Sequence, residues 1–379
     1  MVDTLLYLNF IDFKKAFDSI DYQVLWNILG HYGIPPKIIS VIKLLYEGFS
    51  CQVIHSGTIT APFPVTTGGR QGYLLSPLLF LIVIDWIGKT AYNEPHGIRW
   101  SFISRLEDLE FADDICTLSH RFQDSQHQAT RLEETAKRTG LYINSNKTKS
   151  MRINANRTDS IQINNTDLEN ISNFTYLGSI ISTTSATDED IQARKKKVLQ
   201  AFSILKPVWK SRTLRTSTKI RIFNSNVKSV LLYGSETGRE TSSTINSLQV
   251  FVDKCLRNII GIRWPNTINN KELWKKTKQQ PRETVIRTRK WKWIGHTLRK
   301  KDKNVTKQAL DWNPQGQRRR GRPKNTWRRG LNTELQKIGM IWNETKTMAL
   351  KTEEAGRQMY SPYVHLWTKW IKSSHIHIK

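Results

Sequence analysis

Apolar positions along the first half of the chain come in short runs separated by turn residues. Leu5 to Asp12 is rich in Leu, Phe and Ile and ends in a carboxylate, the pattern of a buried strand with Asp12 at or near its end. Leu25, Ile28, Leu29 and Tyr32 then recur at helical spacing before Gly33, so Asp21 reads as the N-cap of a helix. A second helix begins at Pro35-Pro36, carries Ile38, Ile39, Ile42, Leu45 and Tyr46, and stops near Gly48. Cys51 to Gly57 and Ala61 to Thr66 read as short strands leading into Thr67-Gly68-Gly69-Arg70-Gln71-Gly72, a turn whose glycines let backbone approach a ligand or simply reverse the chain. Ser76-Pro77 starts an apolar helix over Leu78 to Trp86.

Phe102, Ile103, Leu106 and Leu109, then Ile115 and Leu118, flank Phe111-Ala112-Asp113-Asp114 and predict a hairpin with two carboxylates at its tip. Such a tip is either a solvated turn or, with a third carboxylate from another strand, a cation site. A helix from about Gln123 to Arg138 closes at Gly140, and strand candidates follow at Leu141 to Ile143, Met151 to Ile153, Ile161 to Ile163 and Phe174 to Ile181. This mixture predicts an α+β domain to about residue 182. Beyond Thr187 the period is helical throughout, over Asp188 to Leu205, Ser217 to Leu232 and Thr244 to Ile260, with two further helices expected between Leu331 and Trp370.

Charge divides the chain the same way. The formal net charge is +27, yet Met1 to Asp114 holds eight basic and twelve acidic residues, a balance of −4, so the remainder carries +31. A mildly acidic front and a strongly basic rear suggest a polyanion gripped by the rear and worked on by the front. From Arg282 to Arg329 the only acidic residues are Glu283, Asp302 and Asp311, among Trp291, Trp293, Trp312, Trp327 and many Lys and Arg. Basic residues interleaved with aromatics suit phosphate contact plus base stacking, or else a solvated basic helical surface. Cys51, Cys116 and Cys255 are too few and too scattered for a disulfide framework or zinc spacing, which fits a reducing, intracellular compartment, nucleus or cytoplasm. The apolar run Leu74 to Ile84 is too short to span a bilayer, so no membrane partner is expected.

Three strings in order carry a resemblance: Phe10-Ile11-Asp12-Phe13-Lys14-Lys15-Ala16-Phe17-Asp18; Gly69-Arg70-Gln71-Gly72 with Leu75-Ser76-Pro77-Leu78-Leu79-Phe80; and Phe111-Ala112-Asp113-Asp114. They resemble the palm motifs of reverse transcriptases, most closely those of non-LTR (LINE-type) retrotransposons. Gly140-Leu141 with Asn144 and Lys147-Thr148-Lys149, then Tyr176-Leu177-Gly178, look like the next two motifs. The resemblance implies a right-hand polymerase palm over residues 1–182, an all-α thumb over 183–280 and a basic, Trp-rich nucleic-acid-binding tail over 281–379. It implies RNA-directed DNA synthesis: a primer 3′-hydroxyl attacks the α-phosphate of a deoxynucleoside triphosphate, on an RNA template with a DNA primer or target. Asp12, Asp113 and Asp114 would hold two Mg²⁺ ions, with Mn²⁺ as the alternative. Phe17 would exclude a ribose 2′-hydroxyl, or is one more core aromatic. Arg70, Gln71 and Gly72 would line the nucleotide pocket, Lys147 would face the leaving pyrophosphate, and Tyr176, Leu177 and Gly178 would hold the primer end.

The chain departs from the family pattern in several places. It begins almost at the first carboxylate, so the fingers that grip the triphosphate are expected to be largely missing, as in a fragment of a longer reading frame. Gly69 stands where the family has an aliphatic residue, Tyr73 where it has a small one, and Gly238 where related sequences tend to have tryptophan. A catalytically silent nucleic-acid-binding remnant is the alternative reading, and a metal-dependent nuclease a third. Within Arg318-Arg319-Arg320-Gly321-Arg322-Pro323-Lys324, the Arg-Gly-Arg-Pro core resembles an AT-hook; such a string also serves as a nuclear-import signal or a nonspecific phosphate contact. The sequence leaves the oligomeric state open.

Overall fold

The computed structural model describes residues 4–70, 72–101, 104–155, 159–183, 186–238, 241–313 and 326–354. The described residues form two units, one before Thr184 and one after Ser185. In the first, the opening apolar run is strand β1 (Leu6–Ile11), as its composition predicts. Asp21 caps helix α1 (Tyr22–His31) by accepting the Val24 N–H at 3.0 Å, and α2 (Pro36–Tyr46) follows. The long apolar helix α3 (Leu75–Ala91) starts earlier and ends later than its core periodicity suggests. Pro77 sits within its first turn, where a missing N–H costs nothing.

Strands β2 (Asp108–Phe111) and β3 (Asp114–Ser119) form the acidic hairpin; helix α4 (Phe122–Arg138) and strand β4 (Lys149–Ile153) come next. Two residues at β5 (Glu169–Asn170) complete a five-stranded sheet in the order β5-β4-β1-β3-β2, antiparallel except for the β4–β5 pair. A separate hairpin of β6 (Asn173–Tyr176) and β7 (Ser179–Ser182) ends the unit.

Alternation along β1 divides its side chains between two environments. Ile11, with its partner Ile115, joins a helix-covered core that includes Leu29, Val83, Ile87 and Leu132, all essentially inaccessible to solvent. Truncating any of the leucines there to Ala would cost about 2–5 kcal/mol. Phe10 faces the other way and stacks on Phe174 of β6, ring centroids 4.2 Å apart. One face of the sheet thus carries helices, and Phe10 on the other carries the β6–β7 hairpin.

Three sequence expectations need correction. Residues 174–181 are a hairpin, because Leu177 and Gly178 adopt positive φ of 47° and 78° and reverse the chain in two residues. Residues 141–143 are not a strand; Ile143 makes only an isolated bridge to Phe13. Residues 51–66 contribute short two-residue pairings, largely exposed, in place of two continuous strands.

The second unit is helical: α5 (Ala186–Ile204), α6 (Lys206–Lys210), α7 (Thr216–Phe223), α8 (Ser242–Ile259), α9 (Asn270–Thr277), α10 (Arg282–Leu298), α11 (Trp327–Lys337) and α12 (Trp342–Glu354). The helix expected over 217–232 loosens into a π turn at Asn224–Lys228. The unit continues across residue 280 without a break, since Ile286 of α10 shares a core with Val252 and Leu256 of α8. Farther along α10, Lys290 and Trp291 turn inward. The Lys290 ammonium meets Glu334 of α11 at 2.7 Å, and the Trp291 indole N–H donates to the same carboxylate at 2.9 Å. The ion pair is almost fully buried.

A buried pair of this kind is unforgiving of losing one partner, because the other charge stays desolvated. Glu334→Ala is expected to destabilise the second unit by about 3–5 kcal/mol, while Glu334→Gln, which still accepts from Trp291, costs less. Urea unfolding followed by tryptophan fluorescence checks the order of the two variants.

Candidate active site of the first unit

The β1–β3 register brings the acidic residues together. Ile11 pairs with Ile115, and one step further along the same register sets Asp12 beside Asp114. On the other side of β3, Phe111 pairs with Asp114, so Ala112 and Asp113 form a two-residue turn with Ala112 at a φ of 55°. Asp113 and Asp114 are exposed. Burial, reinforced by the neighbouring Asp113 and Asp12 charges, holds the Asp114 carboxyl above the ordinary carboxylate range. The three residues share one sheet end, although their oxygens do not all lie within 4.8 Å of one another.

Asp12 is tied down by the segment that follows α4. Its N–H donates to the Thr148 hydroxyl at 3.1 Å, and its carbonyl accepts from the Asn144 N–H at 2.8 Å. Lys147 Nζ stands 3.9 Å from Asp12 Oδ1, beyond hydrogen-bond reach. That oxygen is buried and accepts no hydrogen bond among the described residues. A desolvated carboxylate oxygen without a donor, next to two further carboxylates, is a donor set that fits a hard divalent cation. The sequence points to Lys147 but gives no hint of Thr148 as a positioning residue, because a buried threonine carries no pattern of its own.

The glycine turn docks on the loop that follows Asp12. The Gly69 N–H donates to the Phe17 carbonyl at 2.6 Å, and Gly68 lies against Asp18. A Cβ at Gly68 would sit 2.5 Å from the Asp18 backbone, and its φ of 82° disfavours other residues as well. Phe17 stacks on Phe80 of α3, centroids 4.0 Å apart, which holds the ring flat and partly exposed. Arg70 lies over Phe49 at 4.0 Å and over Tyr46 and Tyr73 at 5.4 Å each, and its carbonyl accepts from the Ser76 hydroxyl. Tyr73, anomalous in the sequence, is thus part of an aromatic cage for Arg70. Gly72 adopts a φ of 86°; Gln71 lies outside the described residues.

Tyr176 reaches the acidic hairpin from the far side of the sheet. Its hydroxyl donates to the Leu109 carbonyl at 2.8 Å and lies 3.2 Å from that of Asp114, and its ring packs 5.7 Å from Phe10.

In the second unit, three of the four interleaved tryptophans pack within the fold. Trp291 is buried, and Trp293 packs edge to face with Trp327, whose indole N–H donates to the Glu236 carbonyl. Several cations of this stretch are also engaged internally, including Arg287 with Glu283 and Lys307 with Asp302. A basic cleft lies elsewhere in the same unit. About 990 Å³ in volume, it is lined by Lys206, Trp209, Lys210, Arg212, Lys219 and Arg263, among others. The string Arg318 to Lys324 lies outside the described residues.

Among the described residues, no helix is long and apolar enough to cross a membrane. Residues 3–181 match the model of the reverse transcriptase (RNA-dependent DNA polymerase) family, and residues 201–233 match a domain of unknown function. A transposon-derived protein of Caenorhabditis elegans is 24% identical over 266 residues, covering 68% of this chain and 90% of that one. The Pol polyprotein of a type-1 retrotransposable element R2 from Popillia japonica is 23% identical over 262 residues, covering 66% of this chain but only 42% of the polyprotein. Apo telomerase from Candida tropicalis aligns with a TM-score of 0.40 at 15% identity, over 76% of this chain and 46% of that one. Residues 3–181, with their carboxylates at one end of a five-stranded sheet, are thus a reverse transcriptase domain, and the chain is similar to the Pol proteins of non-LTR retrotransposons.

Proposed function

We propose that the first unit is an RNA-directed DNA polymerase site that extends a primer 3′-hydroxyl by attack on the α-phosphate of a deoxynucleoside triphosphate, releasing pyrophosphate. The observation that carries this reading is the convergence of Asp12, Asp113 and Asp114, with an Asp12 oxygen left without a hydrogen-bond donor. Asp12 and Asp113, supported by Asp114, would hold two divalent cations, Mg²⁺ or alternatively Mn²⁺. When bound, such ions supply Lewis-acid stabilisation to the attacking and leaving oxygens. Lys147, 3.9 Å from Asp12 Oδ1, would neutralise charge on departing pyrophosphate. Phe17, held flat by Phe80, bars a 2′-hydroxyl by clash. Gly72 would line the nucleotide pocket, as the resemblance implies also for Gln71, and Arg70 acts chiefly by holding that turn in its aromatic cage. Tyr176, Leu177 and Gly178 seat the primer end.

The second unit acts as the thumb and duplex grip, with the basic cleft as its phosphate contact and Arg318 to Lys324 as a further DNA contact. Because the chain spans less than half of the R2 polyprotein, nucleic-acid binding without copying is the competing reading.

Primer extension on an RNA template with Mg²⁺ separates the two. Asp12→Asn and Asp113→Asn are each expected to lower extension on the order of 100-fold or more, the loss of several kcal/mol of charge stabilisation. Equal extension by all three proteins, or none by any, refutes the polymerase assignment.

Asp114→Asn has an opposite effect on stability. A carboxyl whose folded pKa is raised binds its proton more tightly in the folded state, so its contribution falls as pH rises through that range and is a cost at neutral pH. The variant is expected to unfold at slightly higher temperature than the parent at pH 7 without divalent cation. The gain stays below about 1 kcal/mol, because solvent screens these charges. Thermal melts at pH 4 and pH 7 check the sign, the difference shrinking at the lower pH.

In the cleft, replacing Lys206, Lys210 and Arg212 together with Gln is expected to make the dependence of log affinity on log salt shallower by about 2 to 3 for RNA or DNA. Fluorescence anisotropy across a salt series measures it.

A further inference from the structure

A second group of potential metal donors lies away from the carboxylate tip. Glu94 and His96 sit in the loop after α3, and His127 on α4; one donor atom from each lies within 4.8 Å of the others. No other group of three His, Cys, Asp or Glu among the described residues is gathered so closely. His96 lies between two carboxylates: its Nδ1 is 3.2 Å from Asp124 Oδ1, and its Nε2 is 3.3 Å from Glu94 Oε2. The His127 ring stands 4.4 Å from the His96 ring, centroid to centroid.

A neutral imidazole has one N–H and one lone pair, and both of its neighbours here are acceptors. If the proton on Nδ1 goes to Asp124, the Nε2 lone pair is left facing the Glu94 carboxylate, with His127 alongside. That corner is electron-rich, and among the described residues no Lys or Arg pairs with Glu94. Asp124 would stand behind the imidazole in the way that carboxylates orient metal-bound histidines and raise their basicity. The loop is also held in place. The His96 N–H donates to Glu107 Oε2 at 3.2 Å, and the same oxygen accepts from Gln128 of α4 at 2.8 Å. His96 is three-quarters buried, so its ring has little freedom to turn away.

We propose that Glu94, His96 and His127 form a binding site for a borderline-soft divalent cation of the Zn²⁺ class, with Asp124 as the residue that orients His96. Two imidazole nitrogens and one carboxylate oxygen, with a further position open to water, match Zn²⁺ and its transition-metal neighbours and suit Mg²⁺ poorly. The site is separate from the acidic tip. Glu107, which anchors the His96 loop, pairs beside Leu118, whereas Asp114 begins the same strand at its other end, about 13 Å away at strand spacing. Bound there, the ion ties the end of α3 to α4, the two helices that cover the core face of the sheet.

The test uses the full chain, stripped with chelator and titrated with Zn²⁺ by calorimetry in a large excess of Mg²⁺, which keeps the acidic tip occupied. One Zn²⁺ per chain is expected. His127→Gln and Glu94→Gln, both at exposed positions, should each weaken binding at least about tenfold, and Asp124→Asn about 10–100-fold. Asp113→Asn should leave it unchanged. Zn²⁺ should also raise the unfolding temperature of the parent and of Asp113→Asn, but not of His127→Gln. Absence of stoichiometric binding under excess Mg²⁺ overturns the proposal. Affinity unaltered in both His127→Gln and Glu94→Gln, or lost in Asp113→Asn, overturns it equally.

Discussion

The antiparallel register between β1 and β3 is the constraint on which the first unit depends. Pairing of Ile11 with Ile115 buries two isoleucines against the helices and, one residue further on, sets Asp12 beside Asp114. A slip of one residue would turn Ile11 and Ile115 out of the core and part the carboxylates, so burial and chemistry are specified by the same pairing. Hydrophobic burial thereby holds together charges that would otherwise repel. Desolvation, with the Asp113 and Asp12 charges adding to it, holds the Asp114 carboxyl above its ordinary range there.

Around this pairing the rest of the unit acts as positioning structure. The segment of Asn144 and Thr148 grips the Asp12 backbone, the glycine turn grips the Phe17 carbonyl, and Tyr176 grips the hairpin carbonyls. Each contact ends on backbone, which leaves the carboxylate side chains unencumbered. The second unit uses its charge differently. Part of its positive charge is spent inside, as in Lys290 against Glu334, so the formal charge of its sequence overstates what is available to a polyanion.

Much of the first unit was legible because periodicity and end signals coincide: Asp21 caps α1, Gly140 follows α4, and the acidic hairpin lies where apolar flanks predict it. The carboxylate convergence was not readable from spacing, since about a hundred residues separate Asp12 from Asp113, and it needed the family resemblance. What misled were residues whose role depends on tertiary partners. Trp291 and Lys290 look like nucleic-acid contacts in a basic run, yet a single carboxylate on α11 draws both into a core. Likewise Glu94, His96 and His127 show no ligand spacing in sequence, because a loop and a helix supply them separately.

The most direct test of the central claim is where a bound cation sits. Fe²⁺ substituted for Mg²⁺, with ascorbate and peroxide, cleaves backbone close to the ion. Mg²⁺-suppressible cuts are expected near residue 12 and near residue 113 in the same chain, both lost in Asp12→Asn. Cleavage at only one of the two segments, or cuts that persist in Asp12→Asn, would contradict the convergence of these carboxylates on a shared metal site.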